Sequence, residues 1–402
     1  MSDTATGFRP VSDDTRPLPA VGGVLNSIYH GIEHVQVPST FTSGAAVLQG
    51  CLPLFMAETS SEELIRRVGE KKAAQLQQLY RQSTLLNLYY SFELTQVLEA
   101  LTTAAIPVMV LKGADIAETQ YTRPELRHYG DIDLMVHPED LKATFALLEQ
   151  LGYHYYQEYR FEPLSRQRAA FVYVKEHDVG YLLFEVHISP HSNEMGIAFD
   201  PVQIWQRARS ITVASVDVYG MGLEDMFIYL CWHYRSHTFE RLLWLYDIAV
   251  MLIRCGDQLN WTQVRRLAHE LGLLSTVYYC VLLCQQVFQV AIPGYAEIET
   301  FKPSVFICRL ISHFVGDNLP AILDRTAYRK RKLLQRLMVD NMLMLSLVLF
   351  RAAFPHPAHL GRLYMDRSCL PLRLYWLYYP VHLLFILKTG FQTVFSQGRN
   401  KA

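Results

Sequence analysis

The stretch RHYGDIDLMV (residues 127–136) places two aspartates, Asp131 and Asp133, at the start of an apolar run. On a β-strand, residues i and i+2 point to the same face, roughly 6.5–7 Å apart, so the two carboxylates are expected to project together while Ile132 points into the core. Adjacent carboxylates repel each other and are costly to bury, and Mg²⁺ offsets both effects because it binds protein carboxylates together with phosphate oxygens. The stretch predicts a metal-binding strand, with aspartates that cap a loop or pair with Arg127 as the simpler alternative.

Two further segments carry residues that suit the same chemistry. Glu185 stands among apolar residues in FEVH (184–187), and it completes a three-carboxylate cluster if its strand lies beside DIDLMV. Lys112 and Gly113 close the short apolar run IPVMVLKG (106–113). A glycine there lets backbone amides approach a phosphate, and the start of the following helix adds a favourable field. Lys112 would supply a point charge to the same phosphate.

These motifs resemble those of the nucleotidyltransferase superfamily with a DNA-polymerase-beta-like core, and more narrowly the bacterial family described as uncharacterised nucleotidyltransferases. The hallmarks of that family are L-K-G, then R-x-x-G-D-I-D-L-h-V, then an acid-x-His segment. They read here as LKG (111–113), RHYGDIDLMV (127–136) and EVH (185–187), and the resemblance spans residues 85 to 390. Two features depart from the superfamily pattern: alanine follows K-G in place of the usual serine or glycine, and the third acid is glutamate instead of the commoner aspartate.

The resemblance implies transfer of a nucleoside monophosphate from a nucleoside triphosphate, with ATP favoured, to an acceptor, with release of pyrophosphate. It implies that Asp131 and Asp133 bridge two Mg²⁺ (or Mn²⁺) ions and that Glu185 completes one ion site or acts as a general base. A two-metal site stabilises both the attacking and the leaving oxygen of an in-line displacement. The three acids are therefore the expected catalytic and metal-binding residues.

The resemblance also implies where the nucleotide binds and what receives it. Lys112, Gly113, Gly130 and Arg127 are the expected nucleotide-binding residues, with Arg127 either bracing the loop or contacting phosphate. The expected acceptor is a hydroxyl group of a small molecule, sugar, lipid or peptide in a biosynthetic pathway. Nucleotidylation of a protein or of tRNA, as by a toxin, is the alternative within this class. A catalytically silent scaffold at a membrane is the alternative outside it.

The spacing of apolar residues predicts an α+β fold, in which a small mixed β-sheet forms the nucleotidyltransferase core between an N-terminal helical segment and a C-terminal all-helical domain. Residues 1–24 read as a disordered leader and residues 25–105 as the N-terminal helical segment. The catalytic core is expected at 106–220, with strands at 106–113, 131–136, 169–175, 180–189 and 211–220. A helical domain at 221–324 and a basic, aromatic-rich helical tail at 325–402 complete the chain.

Several histidines have a spacing that also occurs in zinc sites. His233 and His237 lie one helical turn apart, and His187 and His191 have the same spacing. No glutamate completes H-E-x-x-H and no third ligand is evident, so histidines with core or hydrogen-bonding roles are the main interpretation and a zinc hydrolase is an alternative. His187 shares a strand face with the third acid and is expected to support it. His233, His237 and Arg241 are weaker candidates for the same cleft.

The charge of the chain is uneven. The formal net charge is −1, but residues 325–402 carry 13 Lys and Arg against two Asp, so the preceding residues carry −12. The balance gives no reason to expect DNA binding. Basic and aromatic residues around moderate apolar runs suit a bilayer interface, so the expectation is peripheral membrane contact through the tail, with packing of the tail into the helical domain as the alternative. The seven cysteines form no C-x-x-C pair and are expected to be reduced, as in cytosolic proteins. The expected location is therefore the cytoplasm, at the inner face of the membrane if the tail binds there.

Overall fold

The computed structural model describes residues 50–156, 170–177, 180–190, 197–291, 294–323, 327–355, 377 and 379–384. The predicted leader, residues 25–49 of the predicted helical segment, His191 and most of the tail beyond residue 355 lie outside the described residues.

The centre of the chain forms one seven-stranded sheet. Its strands are β1 (Val108–Val110), β2 (Ile132–Val136), β3 (His154–Tyr155), β4 (Ala170–His177), β5 (Gly180–His187), β6 (Arg209–Val213) and β7 (Val216–Gly220). The order across the sheet is β3-β4-β5-β2-β1-β7-β6. The pairs β2–β5 and β1–β7 are parallel, and the other pairs are antiparallel. The mixed sheet predicted from the sequence is confirmed.

One predicted strand is wrong in its extent. Residues 211–220 form the hairpin β6–β7 instead of a single strand. Ala214 and Ser215 make its two-residue turn, and both have positive φ, 48° and 67°. Turns of this type need positive φ at both central residues and usually use Asn or Gly there, so alanine and serine gave no signal of a turn.

Helices precede the sheet and connect some of its strands. The N-terminal helices are α1 (Leu52–Glu58), α2 (Ser61–Val68) and α3 (Glu70–Thr103), while α4 (Lys112–Gln120) and α5 (Leu141–Gln150) lie between strands. Helix α2 begins directly after Ser60, whose hydroxyl accepts a hydrogen bond from the Glu63 amide and so satisfies one of the unpaired amides of the helix.

The C-terminal part of the described chain is helical. Its helices are α6 (Pro201–Gln206), which precedes β6, and α7 (Leu223–Ser236), α8 (Leu242–Cys255), α9 (Trp261–Leu271), α10 (Leu274–Phe288), α11 (Tyr295–Glu299), α12 (Val305–Val315), α13 (Tyr328–Leu337) and α14 (Met342–Ala353). Within the ranges given above, no helix combines the length and the apolar character needed to cross a bilayer. Together with the N-terminal helices and the mixed sheet, this confirms the predicted α+β fold class.

The two faces of the sheet meet different helices. In β2, Ile132 and Leu134 lie in a buried core shared with Leu94 of α3. Met135 belongs instead to the core built by the C-terminal helices. This alternation has the period of two expected for a strand, and it turns Asp133 towards the C-terminal helical domain.

Candidate active site

The register of two parallel strands brings the second and third predicted acids together. In the pairing of β2 with β5, Asp133 lies opposite Glu185 and Met135 lies opposite His187. Neighbouring strands are about 4.8 Å apart, and paired residues point to the same face. The side chains of Asp133, Glu185 and His187 therefore project from one face of the sheet towards the helical domain.

His187 lies between the two carboxylates. Its Nε2 is 3.0 Å from Asp133 Oδ1 and 3.6 Å from Glu185 Oε2. The candidate ligand atoms of these three residues all lie within 4.8 Å of one another, which is close enough to hold one metal ion. His187 and Asp133 are buried and Glu185 is partly exposed, so the cluster opens to solvent on the side of Glu185.

Asp131 stands apart from this cluster and shares a cation with it. It precedes β2, and its side chain is 40% exposed. The Lys112 ammonium lies 3.4 Å from Asp131 Oδ2 and 3.0 Å from Asp133 Oδ2. The structure thus brings Asp131, Asp133, Glu185 and Lys112 into one site, with the lysine between the two aspartates of the D-x-D motif.

The backbone around Lys112 is constrained. Lys112 begins α4 with φ at +33°, a conformation that costs energy for a residue with a side chain and that often occurs at functional sites. The Leu111 amide donates a hydrogen bond to the Asp133 carbonyl at 3.0 Å, which ties this turn to β2. A Cβ on Gly113 would lie 3.1 Å from both Arg127 Nη1 and Tyr129 Cβ, so this glycine permits close packing of α4 against the loop before β2.

The charges in the site determine its protonation. Burial raises the pKa of Asp133, but the Lys112 charge and the hydrogen bond with His187 outweigh it and lower the pKa to about 2. Burial, followed by the charge of Asp133, raises the pKa of Glu185 to about 7. Burial lowers the pKa of Lys112, but Asp131 and Asp133 hold it well above its ordinary value. At neutral pH the site therefore combines an ionised Asp133, a charged Lys112 and a Glu185 that can gain or lose a proton.

Arg127 is bound to the helical domain. Its guanidinium donates to both carboxylate oxygens of Asp247 in α8, at 2.7 and 3.3 Å, and to the His128 carbonyl at 3.1 Å. Tyr121 also donates to Asp247, at 2.8 Å, and both members of the Arg127–Asp247 pair are buried. Of the two roles considered for Arg127, these contacts favour bracing of the loop over contact with phosphate.

The loop that carries Gly130 is held from the other side of the sheet. The Tyr90 hydroxyl of α3 donates to the Gly130 carbonyl at 3.1 Å. Gly130 itself is exposed, and no atom lies within 4 Å of where its Cβ would be. The loop is thus fixed at Arg127 and at Gly130, next to the exposed side of Asp131.

The other predicted histidines lie on the helical domain in contact with an aromatic ring. The Trp244 ring centroid lies 4.7 Å from that of His233 and 4.9 Å from that of His237, and the Arg241 guanidinium carbon is 4.9 Å from the Trp244 ring. Burial and then the Lys112 charge lower the pKa of both imidazoles, so both are neutral at neutral pH. Among the described residues, the metal-capable cluster is the one at Asp133, and it does not include these two histidines.

Tyr229 of α7 is a site residue that the sequence analysis missed. Its hydroxyl donates to the Pro190 carbonyl at 3.1 Å. Burial raises its pKa and the Lys112 charge opposes that shift, and the hydrogen bond places the ring beside the chain that follows β5. Tyr229 and His233 are four residues apart on one helix face, and this spacing was the available signal.

Comparison with solved structures gives distant similarities. The antibiotic-resistance factor ANT(2'')-Ia matches in its solution structure with 17% identity and a TM-score of 0.32, covering 46% of this chain and 91% of that one. Its crystal structure with adenylyl-2''-tobramycin matches with 16% identity and a TM-score of 0.32, covering 45% and 95%. An antigenic nucleotidyltransferase-like protein from Paracoccidioides brasiliensis matches with 13% identity and a TM-score of 0.29, covering 52% and 96%.

No curated protein matches the chain. A family model described as uncharacterised nucleotidyltransferase matches residues 44–289. The match covers more than half of the chain and includes the L-K-G turn, the D-I-D strand, the E-x-H strand and helices α7 to α9. The chain therefore belongs to the family of uncharacterised nucleotidyltransferases.

Proposed function

We propose that this protein transfers a nucleoside monophosphate from a nucleoside triphosphate, with ATP favoured, to a hydroxyl group of a small-molecule, sugar, lipid or peptide acceptor and releases pyrophosphate. The observation that carries the proposal is the pairing of Asp133 with Glu185 on adjacent parallel strands, beside Lys112 and Asp131. Family membership supports the type of reaction. The acceptor class follows from the resemblance described above.

A divalent cation fits these residues. Asp133 and Glu185 present carboxylate oxygens within 4.8 Å of each other, and the Lys112 ammonium already lies between Asp131 and Asp133, so this position accommodates positive charge. We propose that Asp131, Asp133 and Glu185 hold Mg²⁺ or Mn²⁺ in a two-ion arrangement. Such ions neutralise the charge that develops on the transferring phosphoryl group.

The residues of the chain supply the remaining functions. The acceptor oxygen forms a bond to the α-phosphorus of the donor, and the bond from that phosphorus to the bridging oxygen of the β-phosphate breaks, so that pyrophosphate leaves with the electron pair. Glu185, whose carboxyl is the partly exposed one of the cluster, accepts the proton of the hydroxyl group as a general base. Lys112 binds the phosphate oxygens with its ammonium charge.

Thermal stabilisation tests the donor site without knowledge of the acceptor. The wild-type protein is expected to be stabilised by at least one of the four nucleoside triphosphates only when Mg²⁺ or Mn²⁺ is present. Asp133→Asn is expected to lose this stabilisation and to keep the wild-type circular dichroism spectrum. Asp217→Asn, which changes an exposed aspartate on β7 of the same sheet, serves as the matched control. Unchanged stabilisation of Asp133→Asn would contradict the proposal.

A donor labelled at the α-phosphate then separates the classes of acceptor. Incubation with pools of small hydroxyl compounds, with proteins and with tRNA shows which class takes up the label. Label in the small-molecule pool supports the proposed acceptor class, whereas label in protein or tRNA supports the alternative within the family. A protein that binds no nucleotide in the preceding experiment fits the catalytically silent scaffold.

The C-terminal helices support a second proposal, which is peripheral contact of a cytoplasmic protein with an anionic membrane. Helix α14 exposes most of its apolar side chains, with Leu343 71% and Phe350 61% exposed, and 13 Lys and Arg lie in residues 325–402. An apolar helix surface within a basic stretch of sequence suits a bilayer interface with anionic headgroups. Sedimentation with anionic and with neutral liposomes tests this contact, and a protein that stays in the supernatant with both at low salt contradicts it.

A further inference from the structure

The corner between α7 and α8 carries a cluster of rings and a cation that the transfer chemistry described above does not use. Trp244, in the first turn of α8, is contacted by three side chains: His233 and His237 from the end of α7, and Arg241 from the start of α8. His237 and Arg241 are exposed and Trp244 is half-buried. We refer to these four residues as the tryptophan cluster.

The turn between the two helices holds this cluster in a strained conformation. Thr238 and Phe239 both have positive φ, 61° and 54°, which is costly for residues with side chains. Phe239 is fully buried and packs edge-on against Tyr234 at 5.1 Å. The buried ring therefore fixes the turn, and with it the ends of α7 and α8 from which the cluster projects. Such local strain is common where a protein binds a ligand.

The helix that carries Trp244 is joined by an ion pair to the loop before β2. Asp247, one helical turn after Trp244, binds Arg127 at 2.7 Å, and Arg127 lies in the loop that leads to Asp131. The ring of His233 lies 6.3 Å from that of Tyr229, which is hydrogen-bonded to the chain just after β5, so the cluster is linked to both segments that carry the carboxylates.

We propose that the tryptophan cluster is the subsite for the base of the donor nucleotide and that it favours purines. This inference rests on the proposed nucleotidyl transfer. Every base can stack on an aromatic ring or on a guanidinium plane, and such stacking contributes about 1–3 kcal/mol per base. The exposed Arg241 guanidinium lies over the Trp244 indole, so the base stacks on the outer face of this guanidinium.

This mode of binding has a consequence for donor selection. A purine presents a larger stacking surface than a pyrimidine, whereas adenine and guanine differ mainly at their hydrogen-bonding edges. The subsite therefore binds ATP and GTP within a few-fold of each other and binds CTP and UTP more weakly.

Calorimetric titration with two ligands tests the subsite in the absence of an acceptor. One ligand is the non-hydrolysable α,β-methylene analogue of ATP, and the other is inorganic tripolyphosphate, which lacks the base; both are added with Mg²⁺. Trp244→Ala is expected to weaken binding of the analogue by about 5- to 150-fold, the equivalent of 1–3 kcal/mol, and to leave tripolyphosphate binding unchanged. Trp244→Phe is expected to retain most of the affinity. Trp261→Phe is the matched control, because that indole is bound to the Gly256 carbonyl and packs on Phe227.

The outcomes separate this inference from the proposed function. Equal binding of analogue and tripolyphosphate by the wild-type protein, an unchanged affinity of Trp244→Ala for the analogue, or an equal loss for both ligands overturns the base subsite and leaves nucleotidyl transfer standing. Binding of neither ligand overturns both. If Trp244→Ala does not fold, Arg241→Ala replaces it in the test, because this change affects an exposed side chain. Arg241→Ala is expected to weaken binding of the analogue by at least about threefold and to leave binding of tripolyphosphate no weaker than in the wild type. Failure of either expectation overturns the inference.

Discussion

The Lys112 ammonium lies 3.0 Å from Asp133 Oδ2 and 3.4 Å from Asp131 Oδ2, between the two carboxylates of the D-x-D motif. The position of Lys112 before a glycine in the sequence suggests a lysine that binds only the phosphate of the nucleotide. The structure shows it neutralising the two aspartates instead. A cation that enters this site therefore competes with a tethered positive charge, and phosphate oxygens of an incoming nucleotide offer that charge another partner. Binding of metal and binding of nucleotide are expected to favour each other for this reason.

Replacement of Lys112 by methionine tests this competition. Lys112→Met is expected to strengthen Mn²⁺ binding in the absence of nucleotide by about tenfold, the equivalent of 1.4 kcal/mol, because it removes the competing ammonium. The same change is expected to weaken nucleotide binding. Titration of free Mn²⁺ by electron paramagnetic resonance measures the affinity for the ion.

Lys175→Met is the matched control for that measurement. Lys175 also forms an ion pair with a buried carboxylate, that of Glu93, at 2.8 Å. This pair lies between β4 and α3 and does not involve Asp133. A Mn²⁺ affinity of Lys112→Met equal to or below that of the wild type would show that the ammonium does not compete with the ion.

Glu185 makes the stability of the metal-free protein depend on pH. Its pKa rises from an ordinary value of 4.5 to about 7 in the folded state, so between these values the folded protein holds a proton that the unfolded chain releases. The free energy of unfolding therefore falls as the pH rises through this window. Asp133 acts in the opposite sense at lower pH: its pKa is lowered to about 2, so the stability it contributes is present above pH 3.8 and is lost as the pH falls.

Urea unfolding of wild type and Glu185→Gln at pH 5, 6, 7 and 8 measures the contribution of Glu185. The stability of the wild type relative to the variant is expected to decrease from pH 5 to pH 7 and to level off by pH 8, since glutamine does not titrate. Glu176→Gln, at an exposed position on the adjacent strand β4, is expected to show no such trend. A constant difference between wild type and Glu185→Gln would show that this carboxyl keeps its ordinary pKa.

Local periodicity explains how much of the site could be predicted. The alternation of side chains along a strand depends on only a few neighbouring residues. It was enough to predict that Asp133 and Ile132 lie on opposite faces of the sheet. Long-range pairing has no such local signal. The sequence suggested that β5 could join β2, but the parallel register that sets Glu185 opposite Asp133 depends on the packing of the whole sheet.

The partners of the two basic residues could not be predicted for the same reason. Lys112 reaches the D-x-D carboxylates because the turn before α4 is tied to the Asp133 carbonyl, and Arg127 binds Asp247, which is 120 residues away along the chain. The hairpin turn at Ala214 and Ser215 was missed because its residues are uncommon in such turns. In each case tertiary contacts determined a conformation that the local sequence does not specify.

His187 is expected to position Asp133. Its Nε2 lies 3.0 Å from Asp133 Oδ1, so it orients a carboxylate that we propose as a metal ligand. Loss of such supporting hydrogen bonds commonly lowers metal affinity by 10- to 100-fold. In a Mn²⁺ titration, His187→Gln is expected to lower the affinity for the ion by a factor in that range. His154→Gln changes an exposed position on β3 and is expected to bind Mn²⁺ with wild-type affinity. Wild-type affinity in His187→Gln would show that the hydrogen bond is not needed to position the carboxylate.

The Arg127–Asp247 pair is expected to contribute to stability by joining the loop before β2 to the helical domain. Both side chains are buried and the contact is bidentate, so removal of one partner leaves an uncompensated buried charge. Arg127→Met is expected to lower the free energy of unfolding by about 3–5 kcal/mol, measured by urea denaturation.

The double variant distinguishes bracing from a direct role in phosphate binding. Arg127→Met with Asp247→Leu removes both charges, and replacement of a buried ion pair by apolar residues is often neutral, so much of the lost stability is expected to return. If Arg127 acts by bracing, nucleotide affinity returns together with stability, because the loop before Asp131 is again held against α8. If the double variant is stable but still fails to bind nucleotide, Arg127 contacts the nucleotide itself and bracing does not account for its role.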